Sequence, residues 1–246
     1  MRHAALLITL VSLLPACRCQ TESSPAPQAP ARPVLGSIMG TVRFSGAVKT
    51  EISHGFPTSG IRLDPSKLRT IIVGKNGELA NAYIAVRSGL ENRRYPTSNH
   101  DVLLRQVGFV YEPRVLGLMT DQLLKVRNDD DTMHNVHIER KYAAPFNEVQ
   151  QGKGDERTLQ FTETEIGRPI KCDVHPWERA WVHVSDHPFF AVTGIDGKYS
   201  IAGLPPGNYE ILAWHERFKD APLVAKVKVT AGGTATLDFT FEGTRR

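Results

Sequence analysis

The stretch KCDVHPWERAWVHV, residues 171–184, joins a loop rich in donor atoms to a strand-like alternation of apolar residues. The AWVHV part repeats with a period of two, which indicates a β-strand with one buried face. Just before it, Cys172 and His175 are three residues apart, and Pro176 stiffens the return of the chain. A thiol and an imidazole this close indicate a site, provided that the chain supplies further donors.

The same period of two recurs elsewhere. His134, Val136 and Ile138 share one face of a strand, and TLQFT (158–162) alternates in the same way. Glycine turns such as Asp196-Gly197 separate these runs. Strong helical periodicity is missing from the sequence, and PFNEVQQ, residues 145–151, is predicted to form at most a short helix or turn. The fold class predicted from these patterns is all-β.

The upstream donor is His134, which begins a strand straight after the polar turn RNDDDT, residues 127–132. Cys172 is the only cysteine outside the N-terminal segment. Oxidising compartments outside the cytoplasm favour paired cysteines, so a lone cysteine in an exported protein is either inert or a ligand, and the N-terminal segment described below indicates export. His134, Cys172 and His175 are therefore the first candidates for a metal site of two imidazoles and one thiolate.

Residues 107–138 (VGFVYEPRVLGLMTDQLLKVRNDDDTMHNVHI) and 171–184 together resemble the cupredoxins, the small copper-binding Greek-key β-sandwiches. The resemblance implies copper as the cofactor, one-electron transfer to a partner protein and no catalytic residue. It makes His134, Cys172 and His175 the three equatorial ligands. It also implies that the backbone amide of Asn135 donates to the ligand sulfur.

The family usually places a methionine three residues after the second histidine, as a weak axial ligand, whereas this chain has Glu178. A carboxylate is a harder donor, so it favours a less blue site with a lower potential. Cys, two His and Glu are also an acceptable tetrahedral set for zinc. Alternatively, Glu178 turns to solvent and the carbonyl of Met133 caps a three-coordinate copper. The sequence leaves these alternatives open.

Other interpretations of these residues compete with the metal site. Cys172 is a nucleophile activated by His175 in one of them, although no third orienting group is evident. His137 is predicted to lie on the surface, and Asp129, Asp130 and Asp131 are interpreted as a solvated turn. Three more histidines are candidates for a second metal site. They are His183, His187 and His215.

A second module is indicated by TGIDGKYSIAGLPPGNYEILAWHE, residues 193–216, which resembles the carboxypeptidase regulatory-like family, a prealbumin-like β-sandwich. Its opening strands match GTVRFSG (40–46) and ELANAYIAVRSG (78–89). We therefore predict that a cupredoxin-like domain is inserted into a split regulatory-like sandwich. The rival order is three segments in series. The predicted parts are 36–90 and 187–242 for the split sandwich, with 91–186 for the metal domain.

Residues 1–17 are predicted to form a signal peptide. The Leu-Pro-Ala-Cys sequence at its end resembles a bacterial lipoprotein cleavage box. Cys17 would then be the lipid anchor, followed by a Pro/Ala-rich tether over residues 18–35. We expect a protein of the periplasm or cell envelope that meets the membrane through this anchor only. The net charge is only +4, and the basic residues are scattered along the chain, so nucleic acid is not an expected partner.

Overall fold

A computed structural model describes residues 34–47, 61 and 63–243. The predicted signal peptide, the anchor Cys17 and nearly all of the tether lie outside these residues. Seventeen strands make up the described fold. They are β1 (Gly36–Ser45), β2 (Tyr83–Ser88), β3 (Val102–Gln106), β4 (Tyr111–Glu112), β5 (Val115–Met119), β6 (Leu123–Asn128), β7 (His134–Ile138), β8 (Phe146–Gln150), β9 (Glu156–Gln160), β10 (Glu165–Lys171), β11 (Arg179–Ser185), β12 (Phe190–Val192), β13 (Lys198–Leu204), β14 (Gly207–Trp214), β15 (Leu223–Val229), β16 (Thr234–Thr236) and β17 (Phe239–Glu242).

The all-β fold class predicted from the sequence is confirmed: the helices among the described residues are two short 3-10 segments, Pro65–Leu68 and Glu216–Phe218. None of the described helices is long and apolar enough to span a bilayer. The prediction for residues 145–151 is wrong, because Phe146–Gln150 pairs with His134–Ile138 as strand β8. The sequence gives no strand pattern here because most side chains of β8 are exposed. An edge strand that buries few side chains does not show an alternation of apolar residues.

Strands β3 to β11 form two sheets. One has the order β4-β3-β6-β9 and the other β5-β11-β10-β7-β8. Between them lies a buried apolar cluster to which both sheets contribute, with Leu104 and Val126 on one side and Val136, Ile170 and Val182 on the other. The alternation read from the sequence selects these residues, since every second side chain of a strand faces the same way.

The remaining strands also form two sheets. One has the order β12-β2-β14-β15, and in the other β1 pairs with β13, β16 and β17. Their shared apolar cluster includes Ile38 and Ile84 from the first strands and Ile201, Ile211 and Phe241 from the last. The strands before residue 89 and those after residue 189 therefore pack around one core.

A third buried cluster lies where the two pairs of sheets meet. It comprises Tyr83 and Ala85 of β2, Val115 of β5, Trp181 of β11 and Trp214 of β14. Strand β2 is buried on both faces for this reason, because alternate residues face different cores. Trp181 contacts Trp214 in this cluster, with ring centroids 5.4 Å apart.

Candidate metal centre

The candidate ligands are brought together by three neighbouring strands. His134 is the first residue of β7, Cys172 follows the last residue of β10, and β10 pairs antiparallel with both β7 and β11. The loop from Cys172 to Glu178 is closed by two backbone hydrogen bonds. The Glu178 amide donates to the His175 carbonyl at 2.8 Å, and the Cys172 amide donates to the Glu178 carbonyl at 3.3 Å. The closed loop directs the side chains of Cys172, His175 and Glu178 towards His134.

The four side chains His134, Cys172, His175 and Glu178 converge in the interior, with their donor atoms all within 4.8 Å of one another. The sulfur of Cys172 lies 3.8 Å from Nδ1 of His134 and 3.7 Å from Nδ1 of His175. The two Nδ1 atoms are 3.0 Å apart, and Oε2 of Glu178 is 2.9 Å from Nδ1 of His134. Among the residues that the structure describes, this is the one such group of metal-binding side chains.

The two separations to the sulfur, 3.8 and 3.7 Å, match the edges of a metal coordination polyhedron, whereas the 2.9 and 3.0 Å contacts of Nδ1 of His134 are shorter. A tetrahedron with bonds of about 2.0 to 2.3 Å has edges of roughly 3.3 to 3.8 Å. The second carboxylate oxygen of Glu178, Oε1, is buried and has no hydrogen-bond partner among the described residues. An unpaired buried polar atom is costly unless something else engages it. Both observations, with the soft sulfur and two imidazoles, fit a bound copper or zinc ion.

The electrostatics of the group favour a positive charge at its centre. Burial alone would lower the pKa of His134, but hydrogen bonds to Cys172 and Glu178 raise it to about 10. Burial, and then repulsion from His134, lowers the pKa of His175 to about 4. Burial also raises the pKa of the Glu178 carboxyl. His134 therefore keeps its proton beside Cys172 and Glu178, and a metal cation bound among these donors would take the place of that proton.

The alternative in which Glu178 turns to solvent is wrong, because the residue is 1% exposed and its carboxylate lies among the other donors. The nucleophile alternative finds no support either. Cys172 is also 1% exposed, so a substrate has no access to its sulfur.

The sulfur has the backbone contact that the resemblance implied. The amide of Asn135 donates to Sγ of Cys172 at 3.5 Å. The side chain of Asn135 fixes the next residue of the loop, since its Oδ1 accepts from the amide of Asp173 at 2.6 Å. Tyr111 is buried below, and its hydroxyl lies 3.2 Å from the Asn135 carbonyl. Burial and the nearby carboxylate of Glu178 raise the pKa of Tyr111, so the hydroxyl stays a neutral donor.

One residue that contacts the site was misread from the sequence. Asp130 belongs to the turn interpreted as solvated, yet its Oδ2 lies 3.1 Å from Nε2 of His134 and its side chain is 13% exposed. Its position four residues before His134 was the only available indication. Asp129, in the same turn, pairs instead with Arg105 and Arg127.

The other histidines occupy separate places. His137 is half-buried and contacts Asp173 at 2.8 Å, so it is less exposed than predicted. His183 stacks on Tyr83 with ring centroids 3.9 Å apart. Nε2 of His187 donates to the Val86 carbonyl at 2.9 Å. His215 accepts from the backbone of a neighbouring turn. The last three do not form a second group.

Comparison with known proteins gives partial likenesses to copper proteins. No family model matches the chain. No curated protein matches it either. Among solved structures, the chain is similar to a Cu-containing nitrite reductase from Thermus scotoductus SA-01, with 17% identity and a TM-score of 0.33 over 41% of this chain and 26% of that one. The chain thus spans about a quarter of the length of that reductase.

Two smaller proteins are covered almost completely. A purple cupredoxin from Nitrosopumilus maritimus matches with 24% identity and a TM-score of 0.30 over 35% of this chain and 100% of its own. A point mutant of amicyanin in its Cu(I) form matches with 19% identity and a TM-score of 0.32 over 42% of this chain and 98% of its own.

Proposed function

We propose that this chain is an exported copper-binding protein that carries one electron at a time. The observation behind the proposal is the convergence of four buried donors, His134, Cys172, His175 and Glu178, within 4.8 Å of one another. The donor types suit copper, because imidazole nitrogen and thiolate sulfur bind both of its common oxidation states. Glu178 would be the fourth ligand, in place of a thioether.

When bound, copper supplies one-electron redox chemistry, and the protein's contribution is to hold the donors still. His134 and Cys172 sit at the ends of paired strands, and the Cys172–Glu178 loop is closed by its own backbone bonds. Little reorganisation is therefore needed between the two oxidation states, since ligands on rigid elements move less than ligands on free loops. Four protein donors leave no open position for a substrate, which favours electron transfer over catalysis.

His175 is the proposed exit for the electron. Its side chain is 7% exposed, whereas those of His134 and Glu178 are fully buried. Val174 beside it is 42% exposed. A redox partner protein that docks at this loop would approach the ion most closely through the His175 ring. Nucleic acid is not a proposed partner.

The proposal is tested by reconstituting the purified protein with Cu(II). One equivalent should bind and give an intense thiolate-to-copper charge-transfer band. Cys172→Ser should abolish the band, because a hydroxyl is a far weaker and harder ligand than a thiolate. His137→Gln is the matched control: it changes a neighbouring histidine outside the donor group and should leave the band intact. A band that survives in Cys172→Ser contradicts the assignment.

A second candidate function is a cell-envelope binding or scaffolding β-sandwich protein with a zinc or empty site. The closed set of four donors, including a carboxylate, supports it, because structural zinc sites are tetrahedral and have no open position. Elemental analysis of the protein isolated from its native envelope separates the two functions. Stoichiometric copper supports electron transfer, whereas zinc or an absence of metal supports the scaffold.

The proposed domain order is a metal domain over residues 91–186 inserted in a regulatory-like sandwich formed by 36–90 and 187–242. Strand pairing supports this order, because β2 pairs with β12 and β14, and β1 pairs with β13, β16 and β17. Export and lipidation at Cys17 remain proposals from the sequence. Mass spectrometry of the mature protein tests them, since cleavage before Cys17 and an acylated N-terminus are expected, and an uncleaved chain would contradict both.

A further inference from the structure

The outer nitrogen of His134 is engaged by a carboxylate. Nδ1 of the ring faces the other three donors, and Nε2 lies 3.1 Å from Oδ2 of Asp130. His134 is fully buried, and the Asp130 side chain is 13% exposed. A hydrogen bond in such surroundings is strengthened because water screens it poorly. The ring is therefore held from both sides, by the donor group on one edge and by a carboxylate on the other.

Asp130 is itself fixed by the turn between β3 and β4. Its Oδ1 accepts from the amide of Gly108 at 2.6 Å, and its Oδ2 accepts from the amide of Phe109 at 3.0 Å. Both turn residues have a positive φ, 62° and 61°. Successive residues in this unusual conformation point their amides at one spot and form an anion-binding nest. For Phe109 the conformation costs free energy, so the surrounding contacts must maintain it.

The same turn supports other parts of the site. The ring of Phe109 meets the ring of His175 edge-on, with centroids 5.1 Å apart. The carbonyl of Phe109 accepts from Nε1 of Trp177 at 3.0 Å, and Trp177 packs against His175 at 5.4 Å. One turn thus braces one ligand through Asp130 and the other through two aromatic rings.

A carboxylate on the outer nitrogen has two chemical effects. It keeps the ring proton on Nε2, so that the lone pair of Nδ1 is free to bind a metal. It also adds a negative charge next to the ion, beyond those of the Cys172 thiolate and the Glu178 carboxylate. Extra negative charge stabilises a divalent ion more than a monovalent one, because the attraction scales with the charge of the ion.

We propose that Asp130 is a positioning residue of the metal centre, which orients His134 through Nε2 and biases the site towards Cu(II) over Cu(I). The inference rests on the proposed function, since it presupposes that His134 binds copper through Nδ1. It concerns the relative affinity for the two oxidation states, to which the ligand Glu178 is also expected to contribute.

The test compares Asp130→Asn and Asp130→Ala with wild type in the full-length protein. Asparagine keeps an acceptor oxygen and loses the charge, whereas alanine loses both. Competition titrations with Cu(II) and with Cu(I) give the affinity for each ion. We expect Cu(II) affinity to fall about 10-fold in Asp130→Asn and up to about 100-fold in Asp130→Ala. Cu(I) affinity should fall less, so the reduction potential should rise.

The control is Asp131→Asn, which removes the same charge from the exposed neighbour in the same turn. It should leave the ratio of Cu(II) to Cu(I) affinities unchanged. An equal change in Asp130→Asn and Asp131→Asn would overturn the inference, since it would reduce Asp130 to a general surface charge. The inference would also be overturned if wild type binds copper and Asp130→Asn has the same ratio of Cu(II) to Cu(I) affinities as wild type. That result would leave the proposed function intact.

A measurement on wild type guards against variants that fail to fold. In the Cu(I)-loaded protein, which is diamagnetic, ¹H–¹⁵N spectra should show the His134 ring proton on Nε2, slow to exchange and shifted downfield by the carboxylate. A ring proton on Nδ1, or one that exchanges rapidly, would overturn the inference. A wild-type protein that binds neither copper ion would defeat the inference and the proposed function together.

Discussion

The sulfur of Cys172 lies 3.8 Å from Nδ1 of His134, although the two residues are 38 positions apart in the chain. A separation of about 8 Å or more would have excluded a shared ion, since two bonds of about 2 Å each bridge such donors. The contact joins the end of β10 to the start of β7 across two paired strands. Residues 38 positions apart need not be close in space. The register in which β10 pairs with β7 brings these two side chains together.

Removal of the metal should lower stability. Without a cation, four buried donors face one another, and Oε1 of Glu178 finds no hydrogen-bond partner in the part of the chain that the structure describes. A ligand present at 1,000 times its Kd stabilises the folded state by about 4 kcal/mol. Thermal denaturation of copper-loaded and chelator-treated protein measures this difference. Cys172→Ser is the control, and its Tm should respond far less to copper. Equal Tm values for the two wild-type samples would contradict a bound ion.

Glu178→Met should raise the reduction potential and deepen the charge-transfer band. A thioether is a weaker and softer donor than a carboxylate, so the substituted site would favour Cu(I) over Cu(II) more than wild type does. Cyclic voltammetry and visible absorption measure the two effects. Glu139→Gln is a suitable control, because this carboxylate lies two residues beyond His137 with its side chain 60% exposed. A spectrum unaffected by Glu178→Met would show that Glu178 is not a ligand.

Glu216→Ala should destabilise the contact between the two pairs of sheets. Oε2 of Glu216 accepts from Arg114 at 2.9 Å and from Nε1 of Trp181 at 3.0 Å, and both charged side chains are nearly buried. Loss of one partner leaves a buried guanidinium without its counter-ion, at a cost of about 3 to 5 kcal/mol.

Urea denaturation measures that loss. Asp101→Ala, which breaks the exposed pair with Lys125, is the matched control and should cost about 1 kcal/mol or less. A loss for Glu216→Ala no larger than for this control would mean that the buried pair contributes nothing to the interface.

Stability should fall as the pH drops below about 6.5. Burial lowers the pKa of His183 from 6.5 to about 3, so the folded protein keeps this ring neutral while the unfolded chain takes up a proton. The stabilisation is complete above the unfolded pKa and is lost as pH falls towards the folded one. Between pH 7 and pH 5 the loss from this residue is about 2 kcal/mol.

Denaturant titrations of wild type and His183→Gln at both pH values test this prediction. Glutamine cannot titrate, so the variant should lose about 2 kcal/mol less than wild type between pH 7 and pH 5. His215, whose pKa burial lowers to about 4, adds a similar dependence in both proteins. An identical pH dependence in wild type and variant would mean that His183 is protonated in the folded state or titrates normally.

The sequence alone was enough to predict the all-β class and to name four residues that converge. The alternation of Ala180, Val182 and Val184 reports a local property, because a strand presents every second side chain to its core. The Cys172–His175 spacing is likewise local, and the loop that carries it is closed by its own hydrogen bonds. Patterns of this kind are readable because they involve residues near one another in the chain.

What only the tertiary structure decided depends on distant neighbours. The fold buries Glu178 among the other candidate donors, and it packs Trp181 against Trp214. The sequence indicates that Asp130 faces solvent in a polar turn, whereas in the structure it contacts His134. The amides of Gly108 and Phe109 donate to its carboxylate and hold it there. An aspartate in a polar turn looks the same in sequence whether it faces water or a buried imidazole. Only the fold brings Asp130 to His134, which places a negative charge beside the candidate metal centre.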